Sequence, residues 1–286
     1  MNLNSFKVKP EHLAGVNQFN VSTNGQFIIQ RKIFSDVYPD FPDLKTFKLY
    51  IYLCKSYEWK YQRVKKAKAQ MQLDLKLSRN ELNNALDWLE VNYFIARTNS
   101  HKQQMYQTEL VTAPDYDPFT NTYISCNSIP FYTSNLKQRN QGYIMVPADA
   151  VTNRMLENTS TADRTWTYTK LKVYLLLYAN CWLSYFGGVN PESIHVEIDS
   201  IHVDPSFYYN VKKSEVQVVN TIKLLLTMGL FKVVKVCFVK GEYIGDSLLV
   251  STRKGIKEYY VLRPYHLSAK KVNNKELDSK RGSMIL

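Results

Sequence analysis

Two histidines and two carboxylates in one short segment raise the question of a metal or catalytic site. Glu197 and Asp199 lie between His195 and His202. Zinc proteases use the HExxH spacing, which places both histidines on one face of a helix, and this segment has neither that spacing nor HxH. The four cysteines of the chain are far apart and form no CxxC pair. We therefore expect no metal site.

Other residue types that enzymes use stand alone in this sequence. Asp115 and Asp117 form a DxD pair, the minimal carboxylate set of a two-metal nucleotidyl transferase, but they lie in a proline-containing segment without neighbouring basic residues. Tyr265 and His266 lack a following arginine at the close spacing that would support a tyrosine nucleophile. No GxxxxGK[ST] or GxGxxG motif is present. The sequence predicts a binding protein that uses no cofactor, and not an enzyme.

The clearest chemical pattern is a helix rich in asparagine within residues 78–91. Apolar residues recur there at i, i+3, i+4 and i+7, which predicts one buried stripe formed by Leu82, Ala85, Leu86 and Leu89. Ser78 precedes the stripe and Glu81 follows three residues later, the capping-box pattern of a helix start.

The face opposite that stripe carries the candidate base-reading residues: Arg79, Asn80, Asn83 and Asn84, followed by Asp87. Asparagine amides both donate to and accept from adenine in the major groove, and arginine pairs with guanine through two hydrogen bonds. Three asparagines lower helix propensity, so a role other than helix stability is favoured. The alternative is a polar solvated face, although such faces are more often rich in Glu and Lys.

Basic residues near this helix are candidates for phosphate contact. Residues 60–68 hold five cations and no acid, and the alternative for this run is a solvated helix start. With the capping serine, the candidates in this part of the chain are Arg63, Lys65, Lys66, Lys68, Lys76, Ser78, Arg97 and Lys102.

The surrounding elements predict a winged helix-turn-helix. Helices are expected over residues 44–58 and 64–75, a tight turn over 74–78, and then the asparagine-rich helix. Strands are expected at 93–97 and 105–111, joined by a polar loop. The order helix, helix, turn, helix, strand, loop, strand is typical of a helix-turn-helix with a β-wing.

The same order recurs later in the chain. Residues 171–177 repeat the pattern of 47–53, including a lysine and a tyrosine at matching positions. Strand-like segments (26–30 and 142–146) precede both. A later helix over 211–229, a strand over 231–239 and a return within 248–262 complete the second copy. The predicted fold class is therefore α+β, with two tandem winged helix-turn-helix domains that form an internal repeat.

This repeat sets the expected domain organisation. A first domain covers residues 1–111, a linker 112–141, a second domain 142–267 and a basic tail 268–286. The first domain is expected to read DNA, and the second to contact the DNA backbone, to dimerise, or both. The alternative for the tail is a disordered solubilising end.

The two copies differ on the face that would meet DNA. Val216 and Val219 of the second copy stand where the first copy has Asn80 and Asn83. An exposed apolar helix face more often contacts protein than DNA, which predicts self-association or a partner contact through these valines. The alternative is that both valines widen the core of the second domain. Its candidates for phosphate contact are Lys212, Lys213, Arg253, Lys254 and Lys257.

Composition agrees with a nucleic-acid partner. The 286 residues include 37 basic and 25 acidic side chains, for a net charge of +12, and 45% of the residues are hydrophobic. Such a basic balance favours association with a polyanion, and double-stranded DNA is the expected partner. No apolar run approaches the length of about 20 residues that spans a membrane, and the N-terminal residues do not resemble a secretory signal. We expect a cytoplasmic protein associated with the nucleoid or a plasmid.

The chain resembles the winged-helix replication initiator proteins of Gram-positive plasmids and phages, including DnaD-related initiators. Residues 25–34, 47–53 and 77–95 carry the resemblance, and a similar lead-in recurs at 142–147 before 170–177. The resemblance implies binding to repeated sites at a replication origin, often as a homodimer, followed by recruitment of replication proteins that load the helicase. By matching position, it gives Asn80, Asn83 and Asn84 the base-contacting role.

Two other functions remain open from the sequence. A winged-helix transcriptional regulator or repressor would bind its own promoter. A protein-interaction module would use the same fold for protein contacts and bind DNA without specificity. Two unequal copies and a basic tail favour the initiator.

Overall fold

A computed structural model describes most of the chain. The chain divides into two compact units. The described residues are 20–21, 24–34, 40–58, 63–64, 66–92, 94–98, 107–110, 116–117, 122–123, 143–181, 188–197, 199–238, 257–267 and 284–285. The first unit is Gln26–Tyr168, and the second combines Met1–Gly25 with Thr169–Leu286.

The fold is mixed α+β, with helices and small, mainly antiparallel sheets. The helices are α1 Leu44–Lys55, α2 Lys68–Leu75, α3 Arg79–Val91, α4 Asn153–Leu156, α5 Ser160–Thr165, α6 Tyr168–Ala179, α7 Pro205–Val211 and α8 Glu215–Thr227. The strands are β1 Asn20–Val21, β2 Gln26–Gln30, β3 Tyr57–Glu58, β4 Arg63–Val64, β5 Ile95–Thr98, β6 Gln107–Leu110, β7 Tyr116–Asp117, β8 Thr122–Tyr123, β9 Tyr143–Pro147, β10 Ile194–Val196, β11 Ile201–Val203, β12 Phe231–Phe238, β13 Lys257–Pro264, β14 His266–Leu267 and β15 Met284–Ile285. Within the described residues, no helix has the length and apolar character needed to cross a membrane.

In the first unit, a short turn joins α2 to α3. Lys76 ends α2 in the left-handed conformation, with φ of 54°. Ser78 then caps α3: its hydroxyl accepts from the Glu81 amide at 3.3 Å, and the Glu81 carboxylate accepts from the Ser78 amide at 2.8 Å. This capping box satisfies amides that a helix start leaves without partners, and it confirms the predicted start of α3. The predicted stripe of Leu82, Ala85, Leu86 and Leu89 is buried.

The second unit contains a helix pair of the same design. Lys212 ends α7 with φ of 56°, and Ser214 and Gln217 form the capping box of α8. The backbone hydrogen bonds that follow the second helix of each pair match as well. The amide of Phe94 donates to the Leu89 carbonyl after α3, and the amide of Leu230 donates to the Leu225 carbonyl after α8. The predicted helix over 211–229 is therefore α8 alone, because the left-handed residue after Val211 ends α7.

Each unit also has an antiparallel sheet beside its helix pair. In the first unit the strand order is β3-β4-β6-β5, and Ile95 of β5 faces Leu110 of β6. In the second unit the order is β11-β10-β13-β12-β15, with β12 paired to β13 along its whole length. In the first unit, β6 pairs with β4, the later strand of the β3-β4 hairpin. In the second unit, β13 pairs with β10, the earlier strand of the β10-β11 hairpin.

Several predicted element bounds are wrong near these sheets. The first helix was expected over 44–58 but ends at Lys55, because the chain turns into β3. The second was expected from residue 64, yet β4 occupies Arg63–Val64 and α2 starts at Lys68. The return strand expected within 248–262 is β13, Lys257–Pro264.

The domain boundary expected at residue 142 differs from the division in the structure, because residues up to Tyr168 belong to the first unit. The physical reason is pairing: β9 pairs antiparallel with β2, and Ile28 lies opposite Met145. The N-terminus differs too, since β1 pairs in parallel with β14 of the second unit. The segment expected to lead into the second domain thus completes the first unit.

Candidate nucleic-acid interface

The outward face of α3 displays polar side chains, as predicted. Asn80, Asn84 and Asp87 are exposed and lie on the side of the helix opposite the buried stripe. Arg79, the first residue of the helix, is also exposed. The side chains of Asn80 and Asn84 form no hydrogen bond with another described residue. Both amides are available to an external partner that offers donors and acceptors.

Asn83 differs from the other two asparagines. It is half-buried on the flank of α3 that faces α2, and its Oδ1 accepts a hydrogen bond of 2.8 Å from Nζ of Lys68. The expectation that three equivalent amides share one exposed face is therefore wrong for Asn83. The sequence periodicity did not reveal this, because the contact depends on how closely α2 approaches.

An ion pair with α1 also holds the start of α3. Nζ of Lys45 on α1 donates to the Glu81 carboxylate, which also accepts from Ser78. The hydrogen bond from Lys45, followed by those from Ser78, lowers the pKa of Glu81 to about 2. Because this folded-state pKa lies below the ordinary value, the stabilisation is complete above that value and disappears as the pH falls towards 2. The cap is thus intact throughout the neutral range.

The candidates for phosphate contact in the first unit lie around this helix pair. Lys66 and Lys68 are half-buried, and Lys76 and Ser78 are exposed. Arg63 lies in β4 and Arg97 in β5, and for these two residues the backbone alone is described. Lys65 and Lys102 lie outside the described residues. The structure therefore places Lys66, Lys68, Lys76 and Ser78 on the turn and the helices next to α3.

Three interactions that the sequence did not predict position the turn between α2 and α3. Asn158 donates to the carbonyl of Leu75 through both its backbone amide and its Nδ2, each at 2.8 Å. This cap satisfies a carbonyl at the end of α2. On the same helix, Asp74 accepts from the Tyr52 hydroxyl of α1 at 2.5 Å.

The third interaction is a buried lysine. Lys48 of α1 is 0% exposed, and its Nζ donates at 2.7 Å to both the Glu157 carbonyl and Asp163 Oδ1. The one sequence signal was the recurrence of a lysine at the matching position, Lys172, which is also buried. The segment after β9 is thereby fixed to α1, and α1 packs on α3.

In the second unit, one of the two valines expected on the surface of α8 is buried. Val219 is 1% exposed, so the predicted partner contact is wrong for this residue and the alternative, a wider core, holds. Its position on α8 matches that of Asn83 on α3, the flank that faces the preceding helix. Val216 is 41% exposed, and Leu224 of the same helix and Met228, its C-cap, are also exposed. An exposed apolar surface therefore remains, formed by Val216, Leu224 and Met228 and not by Val216 and Val219.

The basic candidates of the second unit are described in part. Lys212 and Lys213 are exposed at the turn between α7 and α8. Lys257 starts β13, and for this residue the backbone alone is described. Arg253 and Lys254 lie outside the described residues. The turn therefore presents the same left-handed lysine to its surroundings in both units.

The two histidines near Glu197 and Asp199 lie opposite each other in a hairpin. His195 of β10 pairs with His202 of β11. Glu197 accepts from the Ser200 hydroxyl at 2.9 Å and lies 3.2 Å from Nε2 of His195. In the described part of the chain, no group of three or more His, Cys, Asp or Glu residues is arranged to hold a metal ion. Asp117 lies in β7, and Asp115 is outside the described residues.

No protein-family model, curated protein or solved structure matches this chain at a significant level.

Proposed function

We propose that this chain is a sequence-specific double-stranded DNA-binding protein built from two winged-helix units, and that it initiates replication of a plasmid or phage. The observation that carries the proposal is the outward face of α3, where Asn80 and Asn84 expose both amides on a capped helix. The helix follows a short turn and precedes two antiparallel strands, which is the element order of a winged helix-turn-helix.

The chemistry of this face favours a base-reading role. The major groove of double-stranded DNA is wide enough to admit an α-helix, and asparagine recognises adenine there through N6 and N7. Lys66 and Lys76 flank the helix pair and supply cations for phosphates on either side of the groove. The net charge of +12 adds the long-range attraction that such binding needs.

The tandem arrangement supports an initiator more than a regulator. The matching left-handed lysines, capping boxes and exit hydrogen bonds support a duplicated winged helix. Two units and a homodimer would suit the repeated sites of an origin, from which replication proteins are then recruited. A transcriptional regulator is the alternative, and it would differ in requiring a promoter site and not an origin.

The direct test is selection of bound duplexes from a random pool by the full-length protein, followed by titration of the selected and a scrambled duplex over a salt series. We expect a defined motif and a specific affinity at least about 10³-fold above the non-specific one. Equal affinity for both duplexes would reject sequence reading and favour the interaction module. Replication of a plasmid that carries the selected sites then separates an initiator from a regulator.

Phosphate contact by each turn is tested by a matched pair of variants, Lys76→Gly and Lys212→Gly. Each removes one charge at a left-handed residue, where glycine has no steric penalty, so we expect stability to change by less than about 1 kcal/mol. Each substitution is expected to reduce the slope of log K against log salt by about 0.9. Titrations of one duplex at several salt concentrations measure the slopes, with thermal unfolding as the control.

The salt slopes of the two variants are interpreted separately, because each variant tests the turn of one unit. An unchanged slope for Lys76→Gly contradicts phosphate contact by the turn of the first unit. An unchanged slope for Lys212→Gly alone contradicts phosphate contact by the turn of the second unit.

Self-association through α8 is the second proposal for this chain, favoured by the exposure of Val216, Leu224 and Met228 on one helix. An exposed apolar cluster of this kind is typical of a surface that is buried in a dimer. Leu224→Glu, at a side chain 50% exposed, is expected to shift the protein towards monomer by at least tenfold in dissociation constant. Sedimentation equilibrium measures this shift. Thr161→Glu, at an exposed polar position of α5 in the first unit, is the control for added charge; equal effects of both variants would argue against an apolar interface on α8.

A further inference from the structure

The hydrogen bond between Lys68 and Asn83 has a chemical consequence for base recognition. Lys68 is the first residue of α2, and its Nζ lies 2.8 Å from Oδ1 of Asn83 on α3. Both side chains are half-buried between the two helices. The amide of Asn83 is thus fixed by a neighbour, whereas those of Asn80 and Asn84 project into solvent.

The orientation of that amide follows from the chemistry of the lysine. An ammonium group has three donors and no acceptor, so the amide atom that faces it must be the oxygen. Nδ2, with two donor hydrogens, lies in the same amide plane and points away from the lysine. A free asparagine can turn either atom towards a base, but this one cannot without losing a charge-assisted hydrogen bond.

We propose, on the basis of the DNA-binding function above, that Lys68 is a positioning residue which turns Asn83 into a donor for guanine. In the major groove guanine presents two acceptors, O6 and N7, whereas adenine presents one acceptor and the N6 amino donor. The N6 amino group would have to approach Oδ1 beside the lysine cation, which disfavours adenine. Asn83 therefore selects guanine, unlike Asn80 and Asn84, whose free amides suit adenine.

The second unit indicates that this bridge is not needed for the fold. At the positions that match Lys68 and Asn83, the second unit has Asp204, the N-cap of α7, and Val219 of α8. Asp204 caps α7 by accepting from the Ser206 amide at 2.8 Å, and Val219 is buried. The helix pair and its turn form with no lysine–amide contact there, so a role in recognition accounts for the bridge better than a role in folding.

The test is duplex selection by the full-length protein and three variants: Lys68→Met, Asn83→Asp and the control Lys66→Met. We expect the wild type to prefer guanine at one position of its motif by about fivefold, the value of one hydrogen bond. Lys68→Met should lose that preference and leave the remaining positions unchanged. Lys66→Met should weaken all sequences alike.

Asn83→Asp keeps the contact with Lys68 and the fold but removes the Nδ2 donor. We expect guanine preference at this position to be lost and replaced by cytosine, whose N4 amino group donates to a carboxylate. Retained guanine preference in either Lys68→Met or Asn83→Asp would overturn the proposal, as would a wild-type preference for adenine at this position. A wild type that selects no motif would instead reject sequence-specific binding itself, so the two failures are distinguishable.

Discussion

Replacing Asp163 with alanine should lower the free energy of unfolding of the first unit by about 3 kcal/mol. The reason is the buried cation that it neutralises: Lys48 is 0% exposed, and its Nζ donates to Asp163 Oδ1 at 2.7 Å. Breaking a buried pair by removing one partner costs about 3–5 kcal/mol, because the remaining charge lacks compensation. Asp163 itself is 37% exposed, so in the alanine variant water can reach the space that the carboxylate leaves and solvate Lys48 in part. The lower end of this range therefore applies.

Two further variants separate this charge effect from general loss of packing. Lys48→Met, combined with Asp163→Ala, removes the uncompensated charge and should recover most of the lost stability. Glu157→Ala is the matched control, because Lys48 contacts the backbone carbonyl of Glu157 and not its side chain; a change within about 0.5 kcal/mol is expected. Equilibrium unfolding in urea measures all four proteins. Lack of recovery in the double variant would contradict the buried-cation explanation.

The local features of the helix pair were accessible from the sequence because short-range chemistry determines them. The start of α3 depends on Ser78 and Glu81, three residues apart, and its buried stripe on a spacing that any helix imposes. The recurrence of the pattern in the second unit was also visible, since it requires only comparison of segments. These features extend over a few turns, and no distant part of the chain is needed to define them.

Long-range contacts determined what the sequence did not reveal. Residues 143–168 follow a proline-containing segment and precede a second helix pattern, so they read as the start of the second domain. They join the first unit through the pairing of β9 with β2 and through Asn158 and Asp163. None of these partners lies within 80 residues in sequence of the segment that it binds. A lysine within an apolar helix pattern gives no indication that its charge is buried.

The valines of α8 show how neighbours set the width of a buried stripe. Periodicity places Val219 on the flank of the helix, where either core or surface is allowed. The matching flank of α3 holds Asn83 at an intermediate depth, paired with Lys68. In the second unit the same flank is buried and apolar, which the pattern alone could not decide.

The largest expected functional effect is that of replacing Asn80 and Asn84 together with alanine. Each exposed amide is proposed to read one base, and each good base contact is worth about 1–3 kcal/mol of discrimination. The double variant should therefore bind the selected duplex more weakly by about 2–6 kcal/mol, while its affinity for a scrambled duplex stays nearly constant. Alanine also raises helix propensity, so α3 itself should not be weakened. Competition titrations with both duplexes at fixed salt measure the specificity ratio.

Asp87→Ala provides the matched control on the same face of α3. It removes a negative charge from an exposed position and should strengthen binding to both duplexes alike, because the phosphates repel that charge less. The specificity ratio is thus expected to fall for the asparagine variant and to stay unchanged for the aspartate variant. If removal of Asn80 and Asn84 weakened both duplexes equally, α3 would not be the base-reading helix. The amide face would then be an ordinary polar surface, and the proposed recognition would have to be sought on another part of the protein.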